Sequence, residues 1–219
     1  MHVTTAQAAQ ALGCSPDTVR KLIRAELLPG VQQRGVRTVV PADVVQALAG
    51  RQYAPLDRLV ASGLAKSSKI AVLRPGIAEL VKEPDRQWMG FSASLPPREL
   101  LEGLRGWWKC VPESVRASGI LPVTLGTFVV AVLTGLQAWE TKPDDDGVIR
   151  HRFEAELAGC ISDLAAPVNK VRPSSAEANQ AAALLLGTRL DSLSGGPIAY
   201  VEASALTPGS PDHAELAAG

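Results

Sequence analysis

The chain has 219 residues, 46% of them hydrophobic and 20% charged, with a formal net charge of zero. That composition excludes wholesale disorder, because enough apolar surface is present to bury a core, and it excludes bulk attraction to polyanions as a basis for nucleic-acid binding. Charge placement is uneven: up to Arg51 there are six basic residues (Arg20, Lys21, Arg24, Arg34, Arg37, Arg51) against Asp17, Glu26 and Asp43, a local net charge of +3. Cys14, Cys110 and Cys160 are widely spaced and never in a CxxC arrangement. Neither a disulfide framework nor a zinc site is therefore expected, and a reducing cytoplasm is the natural setting. The first residues carry no basic stretch followed by an apolar one, so no export signal is read.

In chain order, residues 4–13 predict a short helix with Thr4 as N-cap and Gly13 as its stop. Ser15 then caps a second helix, Pro16 suits its first position, and Asp17 suits the positive end of its dipole. Val19, Leu22 and Ile23 fall at i, i+3 and i+4 and face a core, which leaves Asp17, Thr18, Arg20, Lys21 and Arg24 on the other side. Arginine and lysine there can neutralise phosphates or reach guanine in the major groove, and Thr18 suits a phosphate or a base edge. Two extended runs, 31–33 and 36–40, around Arg34-Gly35 have the size of a β-hairpin wing with Arg34 and Arg37 near its tip. Pro41-Ala42-Asp43 opens a third helix whose Val44, Val45 and Leu48 cover the open side.

The run Ala11-Leu12-Gly13-Cys14-Ser15-Pro16-Asp17-Thr18-Val19-Arg20, continuing to Leu27-Leu28-Pro29, resembles the N-terminal module of MerR-type regulators and of excisionase-like DNA-binding domains. The excisionase-like form is closer, since its third helix follows the wing directly with a proline, as Val40-Pro41-Ala42-Asp43 does. The resemblance covers about a quarter of the chain. It implies that the second helix enters the major groove and the wing touches the flanking backbone, with roles for Thr18, Arg20, Lys21, Arg34 and Arg37. The sequence departs from the MerR pattern at Lys21-Leu22, where paired aromatics are usual, and at Glu26, where glycine is common.

Residues 51–69 read as a linker or connecting helix with Leu56, Leu59, Val60 and Leu64 as an apolar stripe. From 70 to 205, strands are expected at 70–73, 88–94, 121–125, 128–141, 148–157 and 198–203, and helices at 97–104, 113–117 and 175–186, the last with Ser174 and Glu177 as a capping box. Asp146-Gly147 predicts a turn joining the two longest strands into a long antiparallel hairpin. Residues 117–139 hold no charge and reach the length of a membrane span, but Pro122, Gly126, Gly135 and the β-branched residues favour a buried strand. Residues 206–219 read as a flexible tail.

Outside the N-terminal module, Trp107, Trp108 and Lys109 form the most unusual run; they can contact a base or ligand, against the plainer alternative of one inward and one covered tryptophan. Alternation over 150–157 puts Arg150, Arg152, Glu154 and Glu156 on a solvated face and His151 on the partly buried one. Asp144, Asp145 and Asp146 lack the spacing of a calcium loop and suit a hairpin tip. No nucleophile–histidine arrangement stands out, so no enzymatic activity, metal or cofactor is expected. The fold class expected is α+β: a winged helix-turn-helix over 1–50, the linker, a mixed domain of antiparallel strands and helices over 70–205, and the tail. The function expected is sequence-specific binding of double-stranded DNA through Ser15, Asp17, Thr18, Arg20, Lys21, Arg24, Arg34 and Arg37. It would act as a transcription regulator or mobile-element accessory factor, as a homodimer, with a small-molecule or protein effector and no membrane partner. The alternative is a nucleic-acid reader or processor with a PUA-like base pocket in the larger domain.

Overall fold

The computed structural model describes residues 1–192 and 196–203; the expected tail lies outside them. Strand β1 (His2–Thr4) leads into α1 (Thr5–Leu12). The Thr4 hydroxyl accepts from the Gln7 amide and the Gln7 side chain accepts from the Thr4 amide, while Gly13 ends the helix in the left-handed conformation. This reciprocal cap satisfies two helix-end donors that would otherwise have no partner. Next, α2 (Pro16–Arg24) opens at Ser15, whose hydroxyl accepts from the Thr18 amide at 3.1 Å.

The wing consists of β2 (Gln32–Arg34) and β3 (Arg37–Pro41) with Arg34 opposite Arg37; β1 pairs with the other edge of β3. The turn is Gly35-Val36, later than the sequence pattern predicts, because a two-residue turn brings the two arginines into register and leaves Val36 at the tip, 97% exposed. Directly after Pro41, α3 (Ala42–Ala49) buries Val44, Val45 and Leu48, as its spacing predicts.

After α4 (Leu56–Ala61) come β4 (Lys69–Leu73), the hairpin β5 (Glu79–Glu83) and β6 (Arg86–Met89), α5 (Pro97–Leu104), α6 (Pro112–Ser118), β7 (Leu121–Leu125) and β8 (Phe128–Thr134). The chain continues through β9 (Trp139–Pro143), β10 (Ile149–Phe153), β11 (Glu156–Cys160), α7 (Ala176–Leu185) and β12 (Ile198–Glu202). A five-stranded sheet runs β11-β8-β7-β4-β12, with β4 and β7 parallel and the other neighbours antiparallel. The fold is thus α+β, an N-terminal helix-turn-helix with its small sheet followed by helices and mixed sheets.

The predicted long hairpin is present but broken. β8 pairs with β11 up to Thr134↔Glu156, and β9 pairs with β10 from Trp139↔Phe153, in separate sheets. Four residues on one side (135–138) oppose two on the other (154–155), so no ladder spans the junction. The strand expected over 88–94 stops at Met89, beyond which Phe91 meets Ile77 only as an isolated bridge. The α7 cap is Ser175, whose hydroxyl accepts from the Ala178 amide, while Ser174 donates instead to the Glu156 carboxylate.

Both faces of the large sheet are covered. On one, Ile70, Val72, Val129 and Val132 pack with Leu59, Ala181 and Leu185 from α4 and α7. On the other, Ala71, Leu73, Leu125 and Phe128 share a core with Leu12, Val19, Leu22 and Leu27 of the helix-turn-helix. Strands buried on both faces read as continuous apolar runs, which accounts for the uncharged stretch 117–139. Among the described residues no helix is long and apolar enough to cross a membrane.

Candidate nucleic-acid interface

On α2, Val19 and Leu22 are fully buried, while Asp17, Arg20, Lys21 and Arg24 are exposed. Lys21, Arg24 and Arg37 form no ion pair among the described residues. Arg20 bonds Asp17 at 2.5 Å, with side chains 59% and 79% exposed. An exposed pair of this spacing is worth about 0.3–0.5 kcal/mol, too little to withhold Arg20 from a phosphate. On the wing, Arg34 reaches His2 Nδ1 and Gln32 Oε1, both at 3.2 Å, and stays exposed like Arg37.

A groove of about 490 Å³ separates α2 from the wing; Arg20, Ile23 and Arg24 line one side, Arg37 and Thr38 the other, and Thr4 and Thr5 its end. Three of the sequence-predicted cations, Arg20 and Arg24 of the helix and Arg37 of the wing, therefore meet across one open groove, which Lys21 and Arg34 do not line. Ser15 is exposed but serves as the helix cap. Thr18 is placed differently from the sequence expectation. It is half-buried, its hydroxyl lies 3.1 Å from Ser15 Oγ, and its methyl faces Gly126 in the β7–β8 turn, where an ideal Cβ would lie 2.6 Å away. A partner distant in sequence covers one side of it, and the rest lines an open groove beside Lys21.

The α2 exit is tied to the sheet side. Leu27 N–H donates to Leu22 O and Glu26 N–H to Ile23 O, the bonding of a Schellman C-cap, with Glu26 at φ 61° in the position that favours glycine. Just beyond, Ala93 N–H donates to Ala25 O at 2.9 Å and Leu164 N–H to Leu27 O at 3.0 Å. Arg51 donates to the carbonyls of Leu164 (2.9 Å) and Ala165 (2.6 Å), and Arg189 to Leu12 O (3.2 Å). Sequence reasoning gave Arg51 and Arg189 no role, and a lone arginine near a linker carries no local signal of such a partner.

Trp107 and Trp108 are 8% and 6% exposed. Trp107 Nε1 donates to Asp85 Oδ2 at 3.0 Å and Trp108 Nε1 to Leu104 O at 2.7 Å, and Lys142 lies over the Trp107 ring at 4.3 Å. Lys109 alone of that run is exposed. Both rings are thus packed with their polar ends engaged. Arg152 also departs from its predicted solvated face: 14% exposed, it pairs with Glu102 at 2.7 Å and Asp85 at 3.1 Å because the β5–β6 hairpin and α5 close over it. Asp144 closes the hairpin tip, accepting from Val148 N–H and from Arg150. Burial pushes all three thiols up, Cys110, beside Glu113, to about 12; at neutral pH they stay protonated.

Two helices joined by a tight turn, followed by a wing and a covering helix, define a winged helix-turn-helix. Residues 3–53 match the family described as Helix-turn-helix domain, of the excisionase-like kind. This is a DNA-binding class of domain, so DNA is the partner it implies. No curated protein and no solved structure matches the chain.

Proposed function

We propose that this protein binds double-stranded DNA sequence-specifically, as a transcription regulator or mobile-element accessory factor, with α2 in the major groove and the wing on the flanking backbone. One observation carries the reading: Arg20, Lys21, Arg24, Arg34 and Arg37 all stand exposed around α2 and the wing, on a helix whose other side is sealed. An α-helix fits the width of the B-form major groove, and the exposed arginines can pair with phosphates or with guanine edges. A module of this size covers little DNA, so two copies on half-sites one helical turn apart, about 34–36 Å, give usable affinity. The rest of the chain then serves dimerisation and effector sensing. The packed state of Trp107 and Trp108 gives a base pocket at that run no support.

Selection of bound fragments from random DNA tests the reading, with half-site symmetry reporting the dimer. Arg20→Ala with Lys21→Ala should abolish retention of the selected duplex, leave the circular dichroism spectrum unchanged, and lower the salt slope of binding by about 2. Unchanged retention at physiological salt would overturn it.

A further inference from the structure

A helix lying in the major groove has a phosphate strand on each side of it, because its width of about 10–12 Å nearly fills the groove. In this protein α2 also has an open groove on each side. The wing bounds the first. The second, larger at about 880 Å³, has Thr18 and Lys21 on its α2 side and the β7–β8 turn with Arg74 opposite. That turn belongs to the large sheet, not to the helix-turn-helix.

We infer that the sheet unit is part of the DNA seat, its β7–β8 turn and Arg74 clasping, together with Lys21, the phosphate strand on the side of α2 away from the wing. The inference rests on the reading of α2 as the helix that enters DNA. Three observations carry it. First, the Thr18 methyl against Gly126 sets the turn beside the first turns of α2, where helix-turn-helix domains meet the bases. Second, backbone bonds from Ala93 and Leu164 to the α2 exit hold helix and sheet in one arrangement, so DNA that meets α2 meets the turn as well. Third, the groove carries two cations, Lys21 on α2 and Arg74 opposite. Its carboxylates are Asp191, which follows the Leu190 that donates to Thr127 O and so lies beside the turn, and Glu202, which pairs with Lys69 at the far end of β4. Four residues of strand, about 13 Å, separate that position from Leu73, which precedes Arg74. A phosphate strand is thereby favoured on the Lys21 side of the turn, away from Asp191, and repelled further along β12 by Glu202.

Full-length protein and a fluorescein-labelled duplex from the selected pool provide the test, with thermal melts confirming that each variant is folded. Thr127→Glu should weaken binding by about tenfold and Thr127→Lys should strengthen it severalfold, since a charge on the turn faces phosphate. Arg74→Ala should reduce the salt slope by about 1. Arg24→Ala and Arg37→Ala, on the wing side, are the controls. If these weaken binding while both Thr127 variants and Arg74→Ala bind like the parent protein, the clasp is refuted and the DNA reading stands. If the wing-side variants also bind like the parent protein, the DNA reading itself fails.

Discussion

The open face of α2 and the seam beneath it are drawn from the same nine residues and held to opposite standards. Arg20, Lys21 and Arg24 lie in solvent, with no side-chain bond among the described residues beyond one to a neighbouring aspartate, whereas Val19 and Leu22 enter a core that also contains Leu125 and Phe128 of the large sheet. The wing extends the first pattern, with its tip exposed; the segment 25–28 extends the second, bonded to Ala93 and Leu164. Stability and the proposed DNA affinity thus fall to separable side chains, so each is expected to change with little effect on the other.

The strongest challenge to that separation is Leu22→Ala. Removing a fully buried leucine should cost about 3 kcal/mol in urea unfolding, while Arg24→Ala on the outer face stays within about 0.5 kcal/mol of the parent; equal losses would erase the distinction. A smaller effect is expected at Arg51, which bonds two carbonyls of the sheet unit from the end of the module. Arg51→Ala should lower stability by about 2 kcal/mol, and a melting temperature equal to the parent's would show that the seam does not depend on it. The smallest change sharpens the comparison from the other direction. Glu26 occupies a left-handed C-cap position at φ 61°, so Glu26→Gly should raise unfolding stability by about 0.5–1 kcal/mol as strain is relieved against the added chain entropy of glycine. A destabilised variant would mean that the Glu26 side chain supports the seam.

What the sequence made legible was mostly local chemistry. Thr4 with Gln7, Ser15 with Pro16, and the stop at Gly13 announce α1 and α2 because a cap is decided within four residues. β7 and α5 were likewise bounded by their own apolar runs and prolines. Elements decided at a distance were not readable. β1 is three residues long and exists through its pairing with β3, and β5 is a charged, exposed strand whose only strand partner among the described residues is β6. The same holds in the candidate site: the cations follow from helical spacing, but the covering of Thr18 depends on a turn more than a hundred positions away. Alternation predicts a solvated Arg152, whereas Asp85 and Glu102, brought in from two other elements, enclose it.

The large sheet is a single layer thick, with Val129 and Val132 sharing a core with Leu59, Ala181 and Leu185 of α4 and α7, and Leu125 and Phe128, around the β7–β8 turn, sharing the opposite core with Val19 and Leu22 of α2. One backbone layer thus separates the two cores, so a change in packing on the rear face is transmitted through it to the face that seats α2. The seating of α2 therefore depends in part on how the two rear helices pack.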